Sequence, residues 1–489
     1  EAAESGHVYT PRADLIAGVS EMLGVGAEHV DSAIDALWAS ERVLVDGSSV
    51  YLAHLQRAEV EVASCVRRLL DEPLPALEDV DAAIRKFEAM RALELAPSQR
   101  RAVELAAQER FLVITGGPGV GKTTIVRAIV SILGSRGQRI LLAAPTGRAA
   151  KRLSESTLLE ASTIHRLLEF DPRANDFQRG AHNPLEADTV IVDEASMIDL
   201  SLMRGLLQAL PKDARLIIVG DADQLPSVGP GAVLRDLIES RRVPVVRLSE
   251  IFRQSETSGV VKNAHRILHG EMPEGDRAGD DAGDFFVVPR RTPEEAAEVI
   301  RELVTVRIPR KLGLDPRRDV QVLTPMHKGA AGTQALNELL QQALNPNGPA
   351  IELRSQRLRV GDKVLQTKND YENDVFNGDV GVVTRVDVEQ RKLSVKFDGS
   401  EVEYADGSLD ALTLAYAMSV HKSQGSEYPI VVMPLLTTHF VMLSRSLLYT
   451  AVTRARKVCL LVADPRALRL ALESARREDR RTRLAERLS

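Results

Sequence analysis

At 489 residues the chain is long enough for about three domains of roughly 150 residues each. Its 44% apolar and 27% charged composition excludes a mainly disordered chain, and its net charge of −6 means that nucleic acid would be held by local basic clusters, not by a bulk positive field. The two cysteines, Cys65 and Cys459, form no C-x-x-C pattern, which excludes a disulfide framework and a cysteine-based zinc site and fits a reducing compartment. From the N-terminus, Glu-Ala-Ala-Glu-Ser-Gly has neither the basic start nor the apolar core of a signal peptide. It lacks an initiator Met, so a fragment or trimmed product is expected. Apolar spacing predicts helices over 12–23 and 30–40, and 42–53 reads as a β-hairpin around Asp46-Gly47. Helices followed by a hairpin read either as a winged-helix-like module or as a small helical scaffold. Pro73 and Pro75 end the next segment, and 80–95 reads as a linking helix.

From Phe111 the pattern changes to short β-branched runs alternating with helices: 111–115, 139–144, 189–192, 215–219 and 243–248 read as buried parallel strands. A second set, 320–324, 430–433 and 458–462, predicts another doubly wound α/β domain. Between them, 357–412 has short alternating strands with turns at Asn377-Gly378, Asp398-Gly399 and Asp406-Gly407, which reads as a small β-barrel insertion. Residues 276–284 read as an acidic, flexible loop. No apolar run reaches the ~18 to 20 residues that span a bilayer. The most apolar stretch, 430–443, is broken by Pro434, Thr437, Thr438 and His439, so no membrane partner is expected and the chain reads as cytoplasmic.

Chemistry enters at Gly116-Gly117-Pro118-Gly119-Val120-Gly121-Lys122-Thr123, a G-x-x-x-x-G-K-[ST] loop between a predicted strand and a predicted helix. Glycines let backbone N–H groups cradle phosphate oxygens, and the helix N-terminus adds its dipole. Lys122 would reach the β and γ phosphates and the Thr123 hydroxyl would ligate Mg²⁺. A second acidic element, Asp193-Glu194, closes the strand 189–192. Asp193 would hold Mg²⁺, directly or through water, and Glu194 would activate the attacking water. Further polar clusters follow strand ends: Gln224 is placed to sense a γ-phosphate, and Arg253 and Arg454 are candidate arginine fingers, Arg454 coming from the second α/β domain.

These motifs, in this order from about 99 to 457, resemble the superfamily 1 helicases, specifically the RecD-like group of the 1B branch. The residues that carry the resemblance are Gln99, the phosphate loop, Asp193-Glu194-Ala195-Ser196, 220–231, Val420-His421-Lys422-Ser423-Gln424-Gly425-Ser426-Glu427 and 449–457. The resemblance implies an ATP- and Mg²⁺-dependent DNA helicase in repair or recombination, nucleoid-associated, with two RecA-like domains that move 5′ to 3′ along single-stranded DNA. Polarity comes from the resemblance alone. Implied nucleotide contacts are Gln99, Gly117, Pro118, Gly119, Val120, Gly121, Lys122, Thr123, Thr124, Gly425 and Glu427. Implied DNA contacts are Pro145, Thr146, Arg148, Thr163, His165, Thr324, His327, Lys328, Val420, His421 and Lys422. These clusters are nearly free of aromatics, so grip on the backbone, with base stacking in a minor role, is expected.

The expected fold is α/β with domains at 1–95 (helical, winged-helix-like), 96–255 (first motor), 256–356 with 413–489 (second motor) and 357–412 (SH3-like insertion). Residues 170–188 fall where the family carries a β-hairpin pin, expected to act as a wedge at junctions of single- and double-stranded DNA. A monomer is expected. The nearest alternative is a RecD-like motor subunit of a larger helicase-nuclease complex, which the N-terminal module disfavours. A phosphotransferase and a clamp without hydrolysis are more distant, because Lys122, Asp193 and Glu194 are intact.

Overall fold

The computed structural model describes residues 2–250, 258–276, 283–353, 356–370, 372–474 and 480–489. Arg253, and 277–282 of the acidic loop, lie outside the described residues. Two parallel sheets form the body. The first runs Val245–Leu248, Phe111–Gly116, Arg215–Gly220, Thr189–Val192, Ile140–Ala144, Ala161–Thr163 in spatial order. All neighbours in it are parallel, with Ile217 opposite both Leu112 and Ile191. Its central strands are buried along nearly their whole length, which is why they read as continuous apolar runs. The second sheet runs Phe285–Pro289, Ala455–Ala463, Tyr428–Leu435, Val320–Thr324, Ala417–Ser419, again all parallel. Three strands in these sheets escaped the sequence reading: Ala161–Thr163, Phe285–Pro289 and Ala417–Ser419. Two of them have three residues, too few to show a period.

The parallel arrangement brings the carboxyl ends of the strands to one edge. In the first sheet that edge carries the phosphate loop, Pro145-Thr146, Asp193 and Asp221. A ligand cleft belongs there by topology.

At the N-terminus, helices Arg12–Leu23 and Ala27–Ala39 precede the hairpin Val43–Asp46/Ser49–Leu52, as expected. A strand Tyr9–Pro11 adds to that hairpin, Tyr9 opposite Tyr51. The long helix Ala53–Asp71 then buries Leu55, Ala58, Val62, Val66 and Leu69 in one core with Leu206 and Leu207 of the first motor. Two expected boundaries move. Helix Val80–Arg91 contributes Ile84 and Phe87 to the core beneath the phosphate-loop helix, together with Ile125 and Ile129, so it is part of the first motor and not a linker. The last ten residues, expected in the second motor, pack elsewhere: Leu484 and Leu488 join the core shared by the N-terminal helix and the first sheet.

The insertion is a five-stranded antiparallel sheet, Glu401–Tyr404, Lys392–Lys396, Val380–Asp387, Lys363–Gln366, Leu412–Leu414, beside a hairpin Ala350–Leu353/Gln356–Arg359. Its three glycine turns fall where expected, with φ of 100° at Gly378, 109° at Gly399 and 96° at Gly407. The segment 170–188 forms a minimal hairpin, Phe170–Asp171/Asp176–Phe177, with exposed Pro172 to Asn175 at its tip, followed by an isolated bridge between Gly180 and Asn183.

Candidate nucleotide and DNA sites

Strand Phe111–Gly116 delivers the chain into the loop 117–121, and helix Lys122–Gly134 starts at once. Gly121, the residue before that helix, has φ of 80°, a conformation costly for any residue with a Cβ. Lys122 Nζ donates to the carbonyls of Gly116 at 2.5 Å and Gly117 at 2.7 Å, which holds the amine over the loop. From behind, buried Gln99 donates through Nε2 to Val120 O at 3.0 Å, while its Oε1 accepts from Ala96 N. Gln99 therefore fixes the back of the loop.

Lys122, Thr123, Pro118, Asp193, Glu194, Gln224, Glu427, Thr453 and Arg454 line one cleft of about 380 Å³. Residues scattered over more than 300 positions thus face a single volume, drawn from both motor domains. Burial, and then the neighbouring Glu194, push the Asp193 carboxyl up to about 6. The Asp193 carboxyl and the Thr123 hydroxyl, lining the same polar cleft, are a donor set of hard oxygens suited to Mg²⁺. Among the described residues there is no cluster of three or more His, Cys, Asp or Glu side chains able to hold a metal alone.

Arg454 is buried, its guanidinium donating to Thr450 O at 3.3 Å and Ser426 O at 3.1 Å. Gln224 donates to Asp221 Oδ2 at 3.1 Å, and Tyr449 of the second motor donates to the same oxygen at 2.7 Å. Burial, and then Asp221, raise the Tyr449 phenol well above its ordinary value, so it remains a donor. Arg152, absent from the sequence expectations, also lines the cleft and pairs with Glu427 at 2.8 Å, as Arg456 does at 2.7 Å. Its signal was its position: four residues after Arg148, it lies on the same face of helix Gly147–Thr157. Gly425 has φ of 70° and lies so close to Thr146 that an added Cβ would come within 2.6 Å of its hydroxyl. Gly425 is thus a contact between domains.

The expected DNA contacts divide. Thr146 caps helix Gly147–Thr157 by accepting from Ala149 N, and Thr163 caps the short helix Ile164–Leu167 by accepting from Arg166 N. The His165 ring lies 5.5 Å from Phe170 and 5.8 Å from Phe177, and burial lowers its pKa. His327 and Lys328 are exposed, with His327 Nδ1 3.0 Å from Thr333 Oγ1. The His421 imidazole is lowered by burial and then by the charges of Arg480 and His327. Lys422 is exposed, and Pro145 is half-buried at its strand end. Three residues do not fit the expectation. Thr324 is wholly buried and its hydroxyl donates to Ala331 O at 2.8 Å, and the Val420 side chain is wholly buried, so neither side chain meets a strand. Arg148 faces the second motor, donating to Ser426 Oγ at 2.8 Å and Tyr428 OH at 3.2 Å.

Comparison with known proteins gives three matched families: an AAA domain over 99–230, the SH3 domain of ATP-dependent RecD-like DNA helicases over 336–397, and a UvrD-like helicase C-terminal domain over 414–462. The ATP-dependent RecD2 DNA helicase of Deinococcus radiodurans is 37% identical over 99% of this chain and 67% of its own length. The RecBCD enzyme subunit RecD of Mycobacterium tuberculosis is 34% identical over 91% of this chain and 81% of its own. A solved structure of Pif1 helicase from Bacteroides, in complex with ADP-AlF3 and ssDNA, matches 76% of this chain and 92% of its own at 19% identity, with a TM-score of 0.48.

Proposed function

The chain belongs to the RecD-like DNA helicases and is an ATP-dependent DNA helicase; from that premise we propose that it moves 5′ to 3′ on single-stranded DNA and opens duplexes at junctions, in repair or recombination. The observation that carries the reading is the shared cleft: Lys122, Asp193, Glu194 and Gln224 of one motor face Arg454 of the other across a single nucleotide-sized space. Lys122 binds the β and γ phosphates, Glu194 accepts a proton from the attacking water, and Arg454 meets charge that develops on the γ-phosphoryl group. Mg²⁺ held at Thr123 and Asp193 would neutralise phosphate oxygens during transfer. Because Arg454 arrives only with its domain, hydrolysis is tied to closure of the cleft. Arg253 would supply a second guanidinium.

The strand would run across the same sheet edges, past Pro145, Thr146, Thr163 and His165 on the first motor and past His327, Lys328, His421 and Lys422 on the second. Hydroxyl, imidazole and ammonium donors of this kind suit phosphate and sugar oxygens, so binding should be nearly sequence-blind and weaken steeply with salt. The exposed tip 172–175 would be the wedge. The protein would act as a monomer. Strand displacement on duplexes with a 5′ or a 3′ tail, beside Lys122→Ala, tests the reading. The 5′-tailed duplex should open and the 3′-tailed one should not, and K122A should open neither. Equal ATP hydrolysis with and without an oligonucleotide would end the motor reading, and opening of the 3′-tailed duplex alone would reverse the direction.

A further inference from the structure

Behind the γ-phosphate end of the cleft, the second motor reaches into the first through one carboxylate. Asp221 is 1% exposed, and its Oδ2 accepts both from Tyr449 OH at 2.7 Å and from Gln224 Nε2 at 3.1 Å, while Oδ1 accepts from Asp223 N at 3.1 Å. The peptide after the glutamine is gripped on both sides by the same domain. Leu225 N donates to Thr450 Oγ1 at 2.8 Å, and Leu225 O accepts from Gln424 Nε2 at 2.9 Å. We propose that Tyr449 is a positioning residue for hydrolysis: its hydroxyl, acting through Asp221, sets the Gln224 side chain and makes the sensor's geometry depend on docking of the second motor. The inference rests on the reading of Gln224 as the group that meets the γ-phosphate or its attacking water.

A buried carboxylate needs its hydrogen bonds, and one made by a phenol to an anion is among the stronger kinds. Committing the Gln224 nitrogen to Asp221 also fixes which end of the amide donates there, leaving the carbonyl oxygen as the acceptor end of a side chain that lines the cleft. If the second motor withdraws, Tyr449, Thr450 and Gln424 leave together, and nothing from that side holds the loop 221–225 in register. Tyr449 also lies against the phosphate loop, where a Cβ on Gly117 would be 3.0 Å from its hydroxyl. The chain from Tyr449 runs through helix Arg445–Val452 directly to Arg454, so one docking motion delivers the finger and sets the sensor.

The test is DNA-stimulated ATP hydrolysis by Tyr449→Phe, Gln224→Ala and the double variant, with KM for ATP and Kd for single-stranded DNA measured beside kcat. Removing one hydrogen bond to a charged group predicts a loss of about tenfold in kcat for Y449F, with KM and Kd unchanged. In the Q224A background, Y449F should cost nothing further, because the two act as a unit. Full activity in Y449F, a change in KM alone, or a loss that multiplies that of Q224A would overturn the proposal. Q224A at the wild-type rate would remove the reading of Gln224 on which the proposal stands, a separate result. Should Y449F melt near the assay temperature, Asp221→Asn reads the same relay, and full kcat in D221N would overturn it equally.

Discussion

Lys363 is a lysine in a place that disfavours its charge. It is 4% exposed at the start of strand Lys363–Gln366, its Nζ donates to Val320 O at 3.0 Å, and it lies 5.8 Å from the centre of the Tyr428 ring. Burial, and then the charge of Arg148, lower it to about 7. Below pH 7 the amine is charged whether folded or unfolded. Between pH 7 and the ordinary lysine range the folded protein has released a proton that the unfolded chain keeps, so stability rises with pH there. The slope approaches about 1.4 kcal/mol per pH unit. Urea midpoints of wild type and Lys363→Met from pH 6.5 to 9.5 should show the rise in the first and its flattening in the second; parallel slopes would refute the assignment. None of this was legible in Val360-Gly-Asp-Lys-Val, where alternation alone does not tell a solvated lysine from one pressed between an insertion and a sheet. The phosphate loop was legible because phosphate chemistry fixes residue types at local spacing. Tyr449 was not given a role because its partner, Asp221, is 228 residues away.

At the scale of elements, the insertion was legible as turns and alternation, but what it rests on was not. Its loops reach the first motor: Arg166 meets Asp374 at 2.9 Å, Lys151 Nζ donates to Asp398 O at 2.6 Å, and Arg148 lies 3.9 Å from Asp379. The Phe376 ring packs so tightly on Gly147 that an added Cβ would lie 2.5 Å from it. Glycine at 147 thus serves an approach by an aromatic ring, beside residues expected to carry DNA. Carboxylates and a carbonyl here occupy cations that a phosphate backbone would also seek. The exposed Arg166–Asp374 pair contributes about 0 to 1 kcal/mol, so DNA can displace it. Asp374→Ala should therefore bind single-stranded DNA more tightly, by about two- to fivefold at low salt, with the gain fading as salt screens the pair. Fluorescence anisotropy over a salt series reads this. Weaker binding in D374A would mean that the loop guides the strand onto the motor and does not compete with it.

For the whole molecule, the chain's last described segment ties together elements that are far apart in sequence. Arg480 donates to the carbonyls of Gly229 at 2.6 Å and Gly231 at 2.7 Å, in the loop that follows Gln224. Thr482 Oγ1 lies 2.9 Å from Glu59 Oε1 and 3.0 Å from Asp236 Oδ2, joining helix Ala53–Asp71 to the first motor. Glu59 is wholly buried; its Oε1 also accepts from Arg483 N at 2.8 Å and its Oε2 from Arg487 Nε at 2.9 Å. Arg487 reaches on to Asp46 at 2.7 Å in the β-hairpin. In sequence the run from Arg480 to Arg487 was assigned with the second motor, and its place is fixed instead by a carboxylate buried some 420 residues earlier. Removing one partner of such a pair strands the other, which costs more than the pair itself contributes. Arg487→Ala should accordingly destabilise the folded protein by about 3 kcal/mol, at the lower end for buried pairs because the arginine keeps some exposure. Glu59→Gln together with R487A should cost less than the sum of the two, since each single variant already breaks the contact. Urea denaturation of the four proteins reads both effects, and an R487A midpoint indistinguishable from wild type would show that the tail is a passive covering. The strap matters because it binds the N-terminal module and the loop after Gln224 into one body with the first sheet.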